Sequence, residues 1–272
     1  MIHHPKRLTT IDLPETLCPA GVSAMRGLRP YPLNLSGSFQ RREPTLTVIH
    51  DPELECLLTG LHARSDEQVA AMRSYDAERA KEAHILTEDE VRAFRSDKLV
   101  ALDRNKAEFC YQLCRANNAR RIVEVGTSYG VSTLYLAAAV RDNVDAAGGD
   151  GVVIGTEYEP SKASAARSHF EQAGLSRFID LREGDLRETL KHINGPVDFM
   201  LVDIWIAMAR PALELVNPYL KSGAIVVCDN TEQYRCDYAD YFEFLRANGF
   251  RTMTLPFDGG LECPCAAGPD HG

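Results

Sequence analysis

The chain of 272 residues has no apolar run approaching the ~20 residues of a membrane helix. It has no surplus of basic residues either. Thirty Lys and Arg against 39 Asp and Glu give a formal net charge of −9, which argues against a nucleic-acid-binding surface and points to small-molecule partners. Pairs of C-x-x-C knuckles are lacking. Of the eight cysteines, Cys18, Cys56, Cys228 and Cys236 are scattered, Cys110 and Cys114 stand one helical turn apart, and Cys263 and Cys265 flank Pro264. Reduced, mostly buried thiols are therefore expected, not zinc or disulfides. The opening MIHHPKRLTTIDLPETL has no apolar core of the secretory kind, so a cytoplasmic protein is expected. At 44% hydrophobic and 25% charged residues the composition is that of a globular chain able to bury its core unaided.

What is present is a strand, a glycine turn and a helix start in one stretch, Arg121 to Thr133, RIVEVGTSYGVST. Ile122, Val123 and Val125 are branched residues of the kind a parallel strand buries on both faces. Gly126 and Gly130 permit a sharp turn and close approach to a ligand, and Ser132 and Thr133 open the helix TLYLAAAV. Such a unit makes a nucleotide-sized pocket lined with free N–H groups. The spacing is neither the dinucleotide G-x-G-x-x-G nor a P-loop, which places a nicotinamide-dependent dehydrogenase last among the candidates.

The pattern resembles the first motif of class I S-adenosylmethionine-dependent methyltransferases. The resemblance implies an α/β fold: a Rossmann-like, seven-stranded sheet with an antiparallel last strand, helices on both faces and extra N-terminal helices. It implies S-adenosylmethionine as cofactor, with Glu124 toward the methionine end and Gly126, Thr127, Ser128, Gly130 and Ser132 in the donor loop. Glu157, ending the second strand, is placed for the ribose hydroxyls, with Tyr158 beside it, or else caps the helix that follows. Gly184, Asp185 and Leu186 follow the third strand. Asp185 fits the adenine amino group or a plain helix N-cap.

Three segments are expected. Residues 1–64, rich in proline, read as a loosely built arm that covers the site, wraps a partner subunit or is plain packed surface decoration, with LTVIHD as a short strand and PELECLLTGLHA as a helix. Residues 65–104 read as N-terminal helices, with Thr87 and Glu90 as a capping box. Residues 105–272 read as the catalytic domain, entered by a helix that places Ala107, Cys110, Tyr111 and Cys114 on one face.

The fourth strand, VDFMLVD, ends at Asp203, and the fifth, AIVVCDN, ends at Asp229 and Asn230. These are hard oxygen donors at the edge of an open sheet, suited to magnesium, manganese or calcium. Here the resemblance narrows to the divalent-metal-dependent catechol and caffeoyl-CoA O-methyltransferases, in which an Asp after strand four and an Asp-Asn pair after strand five bind the metal. It implies O-methylation of a small hydroxylated molecule, a homodimer, and catalytic roles for Asp203 and for Glu262 on the last strand. Glu262 reads equally as a charged strand residue. The family's Lys, three residues after the fourth-strand Asp, is replaced by Ile206. That leaves as candidate bases the metal-bound acceptor itself, Glu262, His50 or His62, since Arg210 has too high a pKa. It also suggests a greasier acceptor pocket beside Trp205 and Met208, fitting an aromatic or polyketide-like substrate. A metal-independent methyltransferase and a donor-binding protein without transfer activity are the alternatives. Pro264 should end the last strand near Cys263.

Overall fold

A computed structural model of the chain describes residues 47–81, 90, 94 and 96–266. The first element is one long helix, α1 (Pro52–Lys81), followed by α2 (Arg104–Ala116). The sheet then begins with β1 (Arg121–Val125), α3 (Val131–Ala147), β2 (Val152–Glu157), α4 (Pro160–Gln172), β3 (Ile179–Glu183) and the single turn α5 (Leu186–Thr189). Its second half runs β4 (Val197–Val202), α6 (Ile206–Val216), β5 (Leu220–Asp229), α7 (Ala239–Ala247), β6 (Thr254–Leu255) and β7 (Leu261–Glu262). The strand order is β3-β2-β1-β4-β5-β7-β6. The first five strands are parallel, and β7 runs antiparallel to both β5 and β6. This is the expected seven-stranded sheet.

Strand alternation divides the core between two faces. Ile122, Phe199, Leu201, Val227 and Leu261 face α1, α2, α3 and α4. Val123, Val125, Met200, Val202 and Cys228 face α5, α6 and α7. Both faces are buried, as the run of branched residues in β1 requires. On α2 the expected stripe of Ala107, Cys110, Tyr111 and Cys114 is buried, and Lys106 is buried with it.

Two boundaries differ from expectation. α1 passes through residue 64 without interruption, because nothing between Pro52 and Lys81 breaks a helix except Gly60, whose surroundings are open. Thr47 to Asp51 form no strand, although Ile49 is buried. Residues 1–46 and Thr87 of the expected capping box lie outside the described residues. β7 stops at Glu262, just ahead of Pro264. Beyond it the chain still pairs with β5: Val226 N–H donates to Pro264 O at 2.8 Å and Ala266 N–H to Ala224 O at 2.9 Å. No helix among the described residues is long and apolar enough to cross a membrane.

Candidate active site

The turn after β1 is held by its own strand. Glu124, fully buried, accepts hydrogen bonds from Thr127 Oγ1 at 2.9 Å, Ser132 Oγ at 2.7 Å and Thr133 Oγ1. Burial pushes its carboxyl pKa up, and the three hydroxyls oppose that shift. Glu124 therefore shapes the loop from beneath and presents no free oxygen to a ligand cavity. Gly126 has φ +96°, and a Cβ there would stand 1.9 Å from Asp203 O. The loop and the end of β4 are packed backbone to backbone. Ser128, at φ +50°, donates its N–H to Glu157 Oε2 at 2.7 Å, and Glu159 N–H donates to Glu157 Oε1 at 2.7 Å. Each Glu157 oxygen keeps a lone pair. Glu159, not Glu157, precedes the first residue of α4.

Beside this loop lies a cavity of about 10 Å³, with residues 99–102 on one side and residues 126–129 with Asp203 on the other. That is room for about one water. Residues 99–102 are suspended from α1: Leu99 N–H donates to Gln68 Oε1 at 2.6 Å and Ala101 N–H to Ser65 Oγ at 2.9 Å. Of the expected donor residues, Gly126, Thr127, Ser128, Ser132 and Asp203 line the cavity. Glu157, Tyr158, Gly184, Asp185 and Leu186 do not. Tyr158 is 70% exposed. Asp185 is an N-cap, accepting Arg187 N–H at 2.9 Å and meeting the Arg187 guanidinium at 3.0 Å, and Leu186 is buried in the core beneath α6.

Asp203, Asp229 and Asn230 stand at the ends of neighbouring strands, as expected, with one addition. The Lys106 ammonium, only 2% exposed, lies 2.7 Å from Asp229 Oδ1 and 3.1 Å from Asp103 Oδ2. Asn230, at φ +58°, donates its amide to Asp229 Oδ2 at 3.0 Å. Burial alone would lower the Lys106 pKa, but Asp229 and Asp103 outweigh it and raise it, so this amine is an ammonium and no base. Burial, then the charges of Asp229 and Glu124, push Asp203 well above the usual carboxylate range. Asp229 is also raised by burial, despite Lys106. The one ammonium is paired with Asp229 and Asp103, and half-buried Asp203 feels it only through space, so the cluster is short of positive charge. That deficit, and the hard oxygen chemistry of Asp203, Asp229 and the Asn230 amide, fit a divalent cation. Among the described residues no cluster of three or more His, Cys, Asp or Glu side chains forms a metal cage; the expected set has two carboxylates and an amide.

Glu262 is on the other face of the sheet. It pairs with Cys228, one residue before Asp229, so its side chain points away from the acid pair. Both of its oxygens are taken, by Thr252 and by Thr254 Oγ1 at 2.6 Å. The expected catalytic role for Glu262 is thereby corrected to a structural one. His62 turns its Nε2 to Tyr135 OH at 3.2 Å, His50 is exposed, and neither lines the cavity. Ile206 and Met208 pack on the core of the second face, which leaves Trp205, 46% exposed, as the open apolar side chain beside Asp203. Sequence reasoning missed Lys106 and residues 99–102. A lone Lys inside the apolar face of α2 was the available signal for the first; the second carries none.

The Methyltransferase domain family model matches residues 123–231. The chain is 31% identical over 136 residues to a catechol O-methyltransferase of Mycobacterium tuberculosis, covering 48% of this chain and 57% of that protein. It is 27% identical over 152 residues to a caffeoyl-CoA O-methyltransferase of Petroselinum crispum, covering 52% and 58%. The alignments thus span little more than half the length of these relatives. In fold it is similar to the SAH-bound methyltransferase of Podospora anserina, with a TM-score of 0.57 at 18% identity over 79% of this chain and 88% of that one. Sheet order, glycine turn and matched segment agree: the chain has the fold of class I methyltransferases, and over about half its length it is similar to catechol and caffeoyl-CoA O-methyltransferases.

Proposed function

We propose that the chain is an S-adenosylmethionine-dependent O-methyltransferase whose acceptor is a small hydroxylated molecule of aromatic or polyketide-like character. The observation that carries this reading is the backbone contact between Gly126 and Asp203. It sets the glycine loop of a donor cradle against the acid pair at neighbouring strand ends, so that an acceptor oxygen at the pair lies next to a methyl group in the cradle. Loop N–H groups and the remaining Glu157 lone pairs suit the donor's polar groups. A donor is far larger than the cavity, so it enters by displacing residues 99–102. The groove of about 590 Å³ walled by Leu255, Pro256 and Phe257, and lined by Gly259 that lies against Asn230, supports an aromatic acceptor.

Asp203, Asp229 and Asn230 would hold a divalent cation, Mg2+ or else Mn2+ or Ca2+, which lowers the pKa of a coordinated hydroxyl. The chain's own part is to orient the acceptor against Trp205 and to keep the Asp229 oxygens fixed. The resemblance also carries a homodimer, which size-exclusion chromatography tests; the net charge of −9 and the opening sequence carry the expectation of a cytoplasmic protein without a nucleic-acid partner. Metal-independent transfer is the second reading, favoured by the ammonium already on Asp229. Calorimetry tests the proposal. S-adenosylhomocysteine should bind, and Gly126→Ala should abolish binding; transfer to catechol-like acceptors should cease with chelator and return with Mg2+. Full transfer in chelator would select the second reading. If the nucleoside does not bind, the methyltransferase reading fails.

A further inference from the structure

Lys106 has no part in the site as the sequence suggested it, yet its placement is costly unless its charge is used. It is buried on the apolar face of α2 with its ammonium between Asp103, the residue ahead of that helix, and Asp229 at the end of β5. Asp229 is fixed at every polar point. Its Oδ1 takes Lys106, its Oδ2 takes the Asn230 amide, and its main-chain O takes Tyr238 OH at 3.2 Å. Of the two side chains that donate to its carboxylate, the Asn230 amide can rotate away. Lys106, anchored to Asp103 from behind, cannot.

We propose that Lys106 is the positioning residue of the acid pair, holding Asp229 by Oδ1 so that Oδ2 alone faces an incoming divalent cation together with Asp203 and Asn230. The inference rests on the metal-binding reading given above. A ligand held in this way by a partner outside the coordination sphere commonly loses 10–100-fold in metal affinity when that partner is removed.

The test is Mn2+ binding to the full chain saturated with S-adenosylhomocysteine, followed by the electron paramagnetic resonance of free Mn2+. Lys106→Met should weaken Mn2+ at least about tenfold while leaving the nucleoside's affinity nearly unchanged. Lys106→Gln, which keeps a hydrogen-bond donor without the charge, should bind Mn2+ within a few fold of wild type; if the Met variant fails to fold, Lys106→Leu takes its place with the same expected loss. A merely structural lysine would lower the melting temperature of the apolar variant and leave its Mn2+ affinity, once folded, where it was in wild type, overturning the proposal. Tighter Mn2+ binding in Lys106→Met would overturn it too, by showing that the ammonium competes with the cation. No Mn2+ binding by wild type would instead refute the metal reading beneath it.

Discussion

Glu124 and Asp229 are both buried carboxylates on the same face of the sheet, and they are satisfied by opposite means. Glu124 collects three neutral hydroxyls from residues three, eight and nine positions further along the chain. Asp229 takes an ammonium from 123 positions away. Hydroxyls stabilise a buried carboxylate without cancelling its charge, so Glu124 organises a loop but stays a costly anion. The ammonium cancels charge and ties two distant elements, so Asp229 depends on the whole fold being closed. The donor half of the site is thus locally encoded and the acid-pair half is assembled by tertiary packing.

The sharpest way to break this comparison is Asp229→Ala. It leaves Lys106 in the interior with Asp103 alone, and should cost about 3–5 kcal/mol of unfolding free energy in urea titrations. Joining Asp229→Leu to Lys106→Met should recover most of that loss; no recovery would mean that the ion pair is not what holds α2 to β5. Gly126→Ala comes next, at about 2–4 kcal/mol, because the new methyl group meets the Asp203 carbonyl and the left-handed φ is strained for alanine. A neutral result there would separate the loop from the end of β4.

Glu124→Gln should cost less, about 1–2 kcal/mol from the disturbed hydroxyl network, and should carry a pH signature. The native Glu124 pKa lies above its unfolded value, so the native state holds the proton longer. Its contribution to stability is greatest at low pH and declines as pH rises through the raised native pKa. The stability difference between wild type and Glu124→Gln should therefore fall with rising pH. A flat difference would mean that the hydroxyls fully compensate the charge. Glu262→Gln should show the smallest effect on turnover, within about threefold, since Thr252 and Thr254 hold both oxygens on the opposite face. A hundredfold loss of kcat would return Glu262 to the chemistry.

What was legible follows the same division. Strand alternation, the glycine turn and the Asp203, Asp229 and Asn230 positions are short-range patterns, and each lies where its spacing put it. For Asp185 the sequence left an adenine contact and an N-cap open, because a single helical turn offers its cap and its apolar residue to any nearby use; here Asp185 caps and Leu186 packs. Glu262 was misread because a strand of two residues does not reveal its register: a shift of one position changes the face. Lys106 needed the packing of α2 against the sheet end, which no window of sequence contains. Residues 99–102 needed the path of the chain over the cradle, set by two hydrogen bonds to side chains of α1.

Those two bonds, from the Leu99 and Ala101 N–H groups to Gln68 and Ser65, make the cradle and the first helix parties to a single equilibrium. No residue of α1 lines the cavity, yet a ligand that displaces residues 99–102 acts on the docking of that helix. Linkage makes the effect reciprocal: the factor by which undocking α1 changes the donor's dissociation constant is the factor by which the donor changes undocking. The protease susceptibility of a helix that touches no ligand thereby becomes a gauge of cradle occupancy.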